Sequence, residues 1–256
     1  MITGPPRQST EWTMIGVVDE ILWSISVRNA DGSVRYERDP HRVLSTASVG
    51  KLFLLLEVAR QIDDGRLDPR ERLRRTEADR VADSGLWQHL AVDELCVEDL
   101  AVLVAAVSDN LATNVLLRKV GLAAVQPLQH SALHDRVRDE RLPEHEPRLS
   151  SGSADDLSRF MLGLRHQVYP GSRRLLAWMR NNTDLSMVAA AFGLDPLAHT
   201  GLANKTGTDV GVRADVGVTD DVAYAVIANF PADRTHEVLD HMRAIGAAIR
   251  RELPFA

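Results

Sequence analysis

Residues 48–62 read SVGKLFLLLEVARQI, a segment whose apolar side chains point in almost every direction around a helix. A helix that is apolar on nearly all sides is buried in a core rather than lying on a surface. We therefore predict that this helix is the central axis of a helical region and that Gly65 ends it. The segment also begins with Ser48 and Lys51, whose S-x-x-K spacing places both side chains on one face within a single helical turn.

Further helices are predicted after this central one, because apolar residues recur with the period of a helix. The predicted helical segments are residues 97–107, 111–120, 155–165 and 172–180. Residues 134–150 interrupt this series. They are dense in charge and contain Pro143 and Pro147, a composition that predicts a loop.

The two ends of the chain are predicted to form β-strands. Residues 21–27 place apolar side chains on one face and Ser24 and Ser26 on the other, which predicts a half-buried strand. The turn at residues 29–32 leads into a second strand at residues 33–37. A final amphipathic helix is predicted from about Val238 onward. Three strands precede that helix, at residues 202–208, 211–218 and 222–230.

The order of these elements indicates an α+β fold. Two strands open the chain, helices fill its middle and three strands close it. We therefore predict one five-stranded antiparallel sheet built from both termini, flanked by terminal helices, with an all-α insertion. The expected subdomains are residues 1–44 together with 198–256, which form the sheet, and residues 45–197, which are helical. We expect an active site at their interface.

Composition excludes several classes of protein. The chain has 256 residues and a net charge of −6 without a basic cluster, which argues against a nucleic-acid partner. Its single cysteine, Cys96, excludes an internal disulfide and a cysteine-based metal site. The nine histidines show no metal-ligand spacing. We therefore predict neither a metal nor a cofactor.

The sequence also bears on the location of the protein. No segment has the length and apolarity of a membrane-spanning helix. The only early apolar run, residues 12–18, ends at Asp19 and lacks the basic region that leads into an export signal. We therefore expect a cytoplasmic, monomeric protein that acts on a small-molecule substrate and has no membrane partner.

Lysine is almost absent from the chain. Of the 30 basic residues only Lys51, Lys119 and Lys205 are lysine, and two of these three lie in short motifs. Arginine supplies a fixed positive charge, whereas a lysine that is desolvated or placed near another cation can give up its proton. This usage favours proton transfer at Lys51 and Lys205. The alternative interpretation is chance placement of three residues.

The motifs can perform nucleophilic chemistry. A neutral Lys51 amine beside Ser48 can remove the hydroxyl proton, and the helix N-terminus favours the anion that forms. Ser108, in Ser108-Asp109-Asn110, can pass a proton to a leaving group, and Asn110 can present its amide to a substrate. The alternative interpretation of this second motif is an interhelical turn or an N-cap.

A strand that carries Lys205-Thr206-Gly207 can lie along an extended acyl substrate. Gly207 permits a close approach of the backbone, and the Thr208 N–H can pair with that of Ser48 as an oxyanion hole. All three motifs in this order, each on the required element, should arise by chance in fewer than roughly one chain in a thousand.

This motif set resembles the serine β-lactamase and penicillin-binding-protein superfamily, most closely its class A β-lactamase-like branch. The resemblance covers nearly the whole chain, because the layout of strands and helices also matches. It implies that Ser48 is the acylated nucleophile, Lys51 its activating base, and Ser108 and Lys205 the proton-relay and electrostatic partners. It also implies a set of substrate-binding residues: Asn110, Thr206, Gly207, Thr208 and Arg213. The arginine would support a substrate carboxylate, or it is an ordinary strand-surface residue.

The chain departs from the family at its deacylating carboxylate. Class A enzymes carry an E-x-x-L-N motif whose glutamate activates the hydrolytic water, and the nearest match here is Glu146-Pro147-Arg148-Leu149-Ser150. Serine replaces the asparagine, the loop is shorter, and Glu144 and Glu140 are neighbouring competitors. If no carboxylate is positioned, the acyl-enzyme hydrolyses slowly, and the shortened loop leaves a more open site.

Two main functions follow from these residues. The first is a serine hydrolase that acts through an acyl-enzyme on a β-lactam or a related amide or ester, with Ser48, Lys51, Ser108, Lys205 and Glu146 as its catalytic residues. The alternative is an acyl-binding sensor, similar to a penicillin-binding protein, that acylates without turnover. An inactive scaffold is disfavoured because the serines and lysines of the motifs are intact.

Overall fold

The computed structural model describes residues 20–82, 84–192 and 201–251. Their strands, numbered in chain order, are β1 Leu22–Asn29, β2 Val34–Arg38, β3 Leu44–Ser45, β4 Arg72–Arg74, β5 Glu94–Cys96, β6 Ala132–Leu133, β7 Ser150–Gly152, β8 Ala203–Asp209, β9 Val212–Val218 and β10 Val222–Asn229. The α-helices are α1 Lys51–Asp63, α2 Val97–Val107, α3 Asn110–Val120, α4 Ala154–Arg165, α5 Ser172–Met179 and α6 Thr235–Arg251.

The main sheet has five antiparallel strands in the order β2-β1-β10-β9-β8. The first strand of the chain pairs with the last along its whole length, from Leu22 opposite Asn229 to Asn29 opposite Val222. Strand β8, which carries the K-T-G motif, is the edge strand and pairs with β9. The predicted α+β fold and five-stranded sheet are confirmed, and the long helices and strands begin and end close to the predicted residues.

Both faces of the sheet are covered. One face packs against α6 through an apolar cluster that includes Trp23, Tyr224 and Met242. The opposite face packs against α4, and α1 lies deeper in the same cluster, where Leu52, Leu54 and Leu55 are fully buried. Helix α1 contacts α2, α3 and α5, as a buried axis should. The prediction that this helix is the core of the helical region is therefore confirmed.

The half-buried character predicted for β1 is wrong. Ser24 and Ser26 are fully buried because α4 covers the face on which they lie. The Ser24 hydroxyl accepts a hydrogen bond from the Ala154 amide at 3.0 Å, and the Ser158 hydroxyl donates to Ser26 at 3.0 Å. Small hydroxyl side chains allow the helix to approach the strand closely, and each finds a partner there.

Two small sheets connect the helices. One sheet consists of β3, β7 and β6, and the other of β4 and β5. The sequence pattern did not predict these strands, because each has only two or three residues. Among the described residues no helix is both long enough and apolar enough to cross a membrane.

Several predictions on organisation stay predictions. Three of them fall outside the described residues. They are the apolar run at residues 12–18, a helix on the N-terminal flank of the sheet, and the subdomain boundary at residues 197 and 198. The division into residues 1–44 with 198–256 and residues 45–197 is accordingly kept as a proposal. The monomeric state is likewise untested.

Candidate active site

Ser48 lies in a tight 3₁₀ turn, Ala47–Gly50, directly before α1. Ala47 has a positive φ of 45°, which is costly for a residue with a side chain and persists only where the surroundings hold it. Ser150 supplies part of that support: its hydroxyl donates to the Ala47 carbonyl at 2.5 Å and lies 2.7 Å from the Thr46 hydroxyl. The turn that presents Ser48 is therefore fixed by a buried serine from β7.

Gly207 lets the edge strand β8 approach this turn. A Cβ atom at residue 207 would lie 2.0 Å from the Thr46 carbonyl oxygen and 3.2 Å from the Ser48 amide nitrogen. No side chain fits in that space, so the sequence requires glycine here for contact between two backbones. The next residue along β8, Thr208, lines the cavity that also contains Ser48.

Lys51 is fully buried at the start of α1. Its Nζ atom lies 2.7 Å from the Ser108 carbonyl oxygen, 3.2 Å from the Ser108 hydroxyl and 2.7 Å from Asn110 Oδ1. None of these three hydrogen bonds goes to Ser48. Burial places the pKa of Lys51 well below its usual range and the nearby charge of Lys205 lowers it further, while Asp109 opposes the shift. Lys51 therefore loses its proton more readily than an exposed lysine does.

Lys205 reaches the same region from β8. Its Nζ atom donates to the Ser108 hydroxyl at 3.0 Å and to the Thr206 carbonyl at 2.8 Å. Burial lowers the pKa of Lys205 to about 8, although the negative charges of Asp184 and Asp215 oppose the shift. Lys205 therefore remains mostly protonated at neutral pH.

The residues of the Ser-Asp-Asn segment cap two helices and also contact Lys51. Ser108 caps the C-terminus of α2 with a left-handed φ of 56°. Asp109 is the N-cap of α3: it accepts from the Ala112 amide, and its second oxygen accepts from the amides of Leu86 and Trp87, all at 2.8 Å. The N-cap interpretation thus describes the central aspartate, whereas its two neighbours contact Lys51.

Asn110 is engaged within the protein. Its Oδ1 accepts from Lys51 and its Nδ2 donates to the Ala82 carbonyl at 3.1 Å. In this arrangement the amide orients the lysine amine. Its contact with a substrate stays a prediction.

A cavity of about 690 Å³ opens over the nucleophile turn. Five of the predicted residues line it: Ser48, Ser108, Thr206, Thr208 and Arg213. Two acidic residues that the sequence did not single out, Asp184 and Asp209, line it too. Asp184 follows α5, far from the motifs in sequence, and carries no local signal of its position. Asp209 ends the K-T-G strand, so proximity to that motif was its only available signal.

Arg213 lies opposite Thr208 in the register between β8 and β9. Its Nη1 atom donates to the carbonyl oxygens of Asp209 and Val212 at 2.8 and 2.7 Å. The side chain therefore lies at the wall of the cavity and is held by backbone carbonyls. Its role toward a substrate carboxylate stays a prediction.

The structure does not bring the predicted deacylating carboxylates to the cavity wall. Glu146, Glu144 and Glu140 are exposed and are not among the residues that line the cavity. The Glu146 backbone carbonyl accepts from Arg141 at 2.8 Å. Ser150, which stands where the family has asparagine, is buried and supports the nucleophile turn. The catalytic role of Glu146 stays a prediction.

Comparison with known proteins agrees with this fold, which solved structures of β-lactamases and of PBP-A share. A model of the β-lactamase enzyme family matches residues 19–253, and the chain therefore belongs to that family. A curated β-lactamase from Streptomyces albus G is 34% identical over 152 residues, which are 54% of this chain and 46% of that protein. The chain thus spans about half the length of this curated relative.

Solved structures show the same fold at low sequence identity. A β-lactamase from Sphaerobacter thermophilus DSM 20745 has a TM-score of 0.77 and 23% identity, with 92% of this chain and 94% of that chain covered. The structure of PBP-A has a TM-score of 0.74 and 21% identity, with 91% and 90% covered. An ancestral class A β-lactamase has a TM-score of 0.75 and 21% identity, with 91% and 94% covered.

Proposed function

We propose that this protein is a serine hydrolase that acts through an acyl-enzyme at Ser48, on a β-lactam or a related small amide or ester. The observation that supports this function best is the convergence of two buried lysine amines on the Ser108 hydroxyl, in the wall of the cavity that contains Ser48. Burial of Lys51 lowers its pKa, as a general base requires at neutral pH.

Acylation begins with the neutral Lys51 amine. Lys51 Nζ takes the Ser48 hydroxyl proton as Ser48 Oγ bonds to the substrate carbonyl carbon, and a contact between the two side chains forms when substrate is bound. The carbonyl oxygen becomes an oxyanion, for which the Ser48 and Thr208 amides are the proposed donors. When the bond to the leaving group breaks, the leaving atom takes the Ser108 proton, and Ser108 regains one from the Lys51 ammonium.

Deacylation is expected to be slow. Water must attack the ester carbonyl of the acyl-enzyme and lose a proton, and the three candidate glutamates, Glu140, Glu144 and Glu146, are exposed and do not line the cavity. This observation favours the second candidate, a sensor that is acylated and holds its adduct. A mutant of the related PBP-A has been solved as an acyl-enzyme complex with penicillin G. The lifetime of the adduct separates the two candidates.

Intact-mass spectrometry after mixing with a chromogenic cephalosporin, and separately with a simple ester, tests this function. A mass increase equal to the acyl group is expected in the wild type and absent in Ser48→Ala. That variant should unfold at nearly the wild-type temperature, because it removes one hydroxyl at a helix start and costs about 1 kcal/mol or less. Labelling of Ser48→Ala would exclude Ser48 as the nucleophile, and an unlabelled wild type would exclude the function itself.

A further inference from the structure

The cavity that contains Ser48 has an unusual charge balance for a site thought to receive a substrate carboxylate. Among the described residues that line it are two carboxylates, Asp184 and Asp209, and one guanidinium, that of Arg213. Lys205 adds a second cation behind the wall, through its bond to Ser108. Two negative charges therefore offset the two positive ones, and an anion gains little net attraction here.

Neutral groups hold both carboxylates in place. Asp184 Oδ1 accepts from the Ser186 amide at 3.2 Å and from the Ser186 hydroxyl at 2.7 Å. Asp209 Oδ1 accepts from the Val210 amide at 2.7 Å. Within the described part of the chain, neither negative charge is cancelled by a direct ion pair. Both carboxylates therefore act on whatever the cavity contains.

Arg213 is less available than its position suggests. Its Nη1 atom is occupied by two backbone carbonyl oxygens, whose partial negative charges offset part of the charge of the guanidinium. Burial lowers the pKa of Arg213. The negative charges of Asp184 and Asp209 oppose this shift, and the effect of Asp184 is the larger of the two. Two carbonyl oxygens and two nearby carboxylates therefore already stabilise the charge of this arginine.

Asp184 lines the cavity together with Ser108, the proposed proton donor to the leaving atom. Of the charges that act on Lys205, that of Asp184 is the largest, and Lys205 bonds the Ser108 hydroxyl that protonates the leaving atom. A positive group on the leaving fragment would therefore lie within the field of Asp184. A carboxylate at the same point would be repelled.

We propose that Asp184 and Asp209 select acyl donors whose leaving group carries a cation, such as an ammonium, over donors whose leaving group carries a carboxylate. This specificity rests on the proposed acyl-enzyme function. It identifies the preferred substrate as a cationic or zwitterionic amide or ester rather than an anionic β-lactam.

Three phenylacetyl thioesters test the proposal. Their leaving thiols are mercaptoacetate, mercaptoethanol and thiocholine, which are anionic, neutral and cationic. All three give the same phenylacetyl-enzyme, so deacylation is common to them and only acylation differs. The three thiols also differ in acidity and hence as leaving groups, so each rate is divided by the rate at which hydroxide hydrolyses the same thioester. The normalised rate of thiol release in the first turnover is expected to rise from anion to neutral to cation by roughly three- to tenfold at each step, less at high salt.

Asp184→Asn and Asp209→Asn each remove one charge and keep an amide oxygen as hydrogen-bond acceptor. Each should lower the ratio of the cationic to the anionic rate by roughly three- to tenfold. The matched control is Asp220→Asn, because the Asp220 side chain is 89% exposed in the turn at the far end of β9 from Arg213. This control should leave the ratio unchanged.

The outcomes separate the two proposals. Faster acylation by the anionic thioester, or a ratio that neither cavity variant changes, overturns the selection for cations and leaves the acyl-enzyme function standing. If none of the thioesters and no β-lactam acylates Ser48, the proposed function fails, and the specificity inferred from it fails too.

Discussion

Lys51 and Lys205 bring their amine nitrogens to the same oxygen atom, Ser108 Oγ, at 3.2 and 3.0 Å. Both lysines are fully buried, and they come from elements distant in sequence, the first turn of α1 and the edge strand β8. Two ammonium groups this close in a buried site disfavour each other, so one of them loses its proton far more readily than it would in water.

The surrounding charges, rather than the hydrogen bonds, indicate which lysine loses its proton more readily, because both amines bond only neutral groups. Lys51 contacts only the neutral groups of Ser108 and Asn110, and both burial and the charge of Lys205 lower its pKa. Lys205 has Asp184 and Asp215 near enough to oppose the effect of burial. We therefore propose that Lys51 acts as the base and Lys205 as the cation, on either side of a hydroxyl that can carry protons between them.

Lys51→Arg should reduce the rate of acylation by about 10²–10⁴-fold, because arginine cannot accept a proton at neutral pH. The matched control is Lys119→Arg, since Lys119 is a surface residue that pairs with Glu71. That variant should keep the wild-type rate. Stopped-flow acylation with a chromogenic cephalosporin measures both, and thermal unfolding of the same samples checks the fold. If the Lys51→Arg variant retains more than about a tenth of the wild-type acylation rate, Lys51 is not the base.

The rate of acylation should depend on pH in a bell shape. Lys51 must be neutral, so the rate rises as pH increases through its lowered pKa; Lys205 must be protonated, so the rate falls as pH increases through about 8. Asp184→Asn removes a charge that raises the pKa of Lys205, and the falling limb should therefore move to lower pH. If the falling limb stays at the same pH in this variant, it does not report the titration of Lys205.

Gly207→Ala should impair the site through geometry. The new methyl group would lie 2.0 Å from the Thr46 carbonyl oxygen, which forces β8 away from the nucleophile turn. We expect a loss of stability of about 1–3 kcal/mol and a loss of acylation on the order of 10²-fold. Urea unfolding measures the first quantity and stopped-flow acylation the second. A folded variant with the wild-type acylation rate would show that close contact between β8 and the turn is dispensable.

Periodic patterns predicted the framework because they report burial directly. The all-round apolar pattern of α1 reflects burial on nearly all its sides, and the alternation of β1 identified a strand. The same alternation misassigned Ser24 and Ser26, since a serine under a helix and a serine in water look alike in sequence. Only the packing of α4 on β1 distinguishes them.

The site shows a similar limit. Ser48, Lys51, Ser108 and Lys205 could be predicted because their chemistry requires particular residue types at short spacings, and the fold brings these four together. Asp184 and the supporting Ser150 could not, because their importance arises from contacts with segments distant in sequence. A carboxylate that sets charge in a cavity needs no fixed spacing from a motif. Its role becomes visible only when the walls of the cavity are known.

Glu146→Gln tests turnover rather than attack. The substitution keeps size and hydrogen bonding but removes the base, so a working deacylation carboxylate would give an adduct that forms normally and then persists. Glu146 is exposed and does not line the cavity, while Ser150 occupies the place of the family's asparagine and bonds the Ala47 carbonyl instead. We therefore expect the substitution to change deacylation by less than about 10²-fold, the lower limit for a positioned base.

Pre-steady-state kinetics of wild type and Glu146→Gln with a penicillin measure this change, and Glu144→Gln is the matched control, because Glu144 is an exposed neighbour in the same loop. If both variants deacylate at the wild-type rate, neither glutamate activates the hydrolytic water. Deacylation is then slow in every form of the protein, the penicillin adduct accumulates, and a penicillin is a poor substrate. Rapid turnover by the wild type, with the adduct trapped only in Glu146→Gln, would refute this expectation. It would mean that the loop at residues 134–150 closes over the acyl-enzyme and carries Glu146 to the hydrolytic water, which would make the protein an efficient β-lactamase.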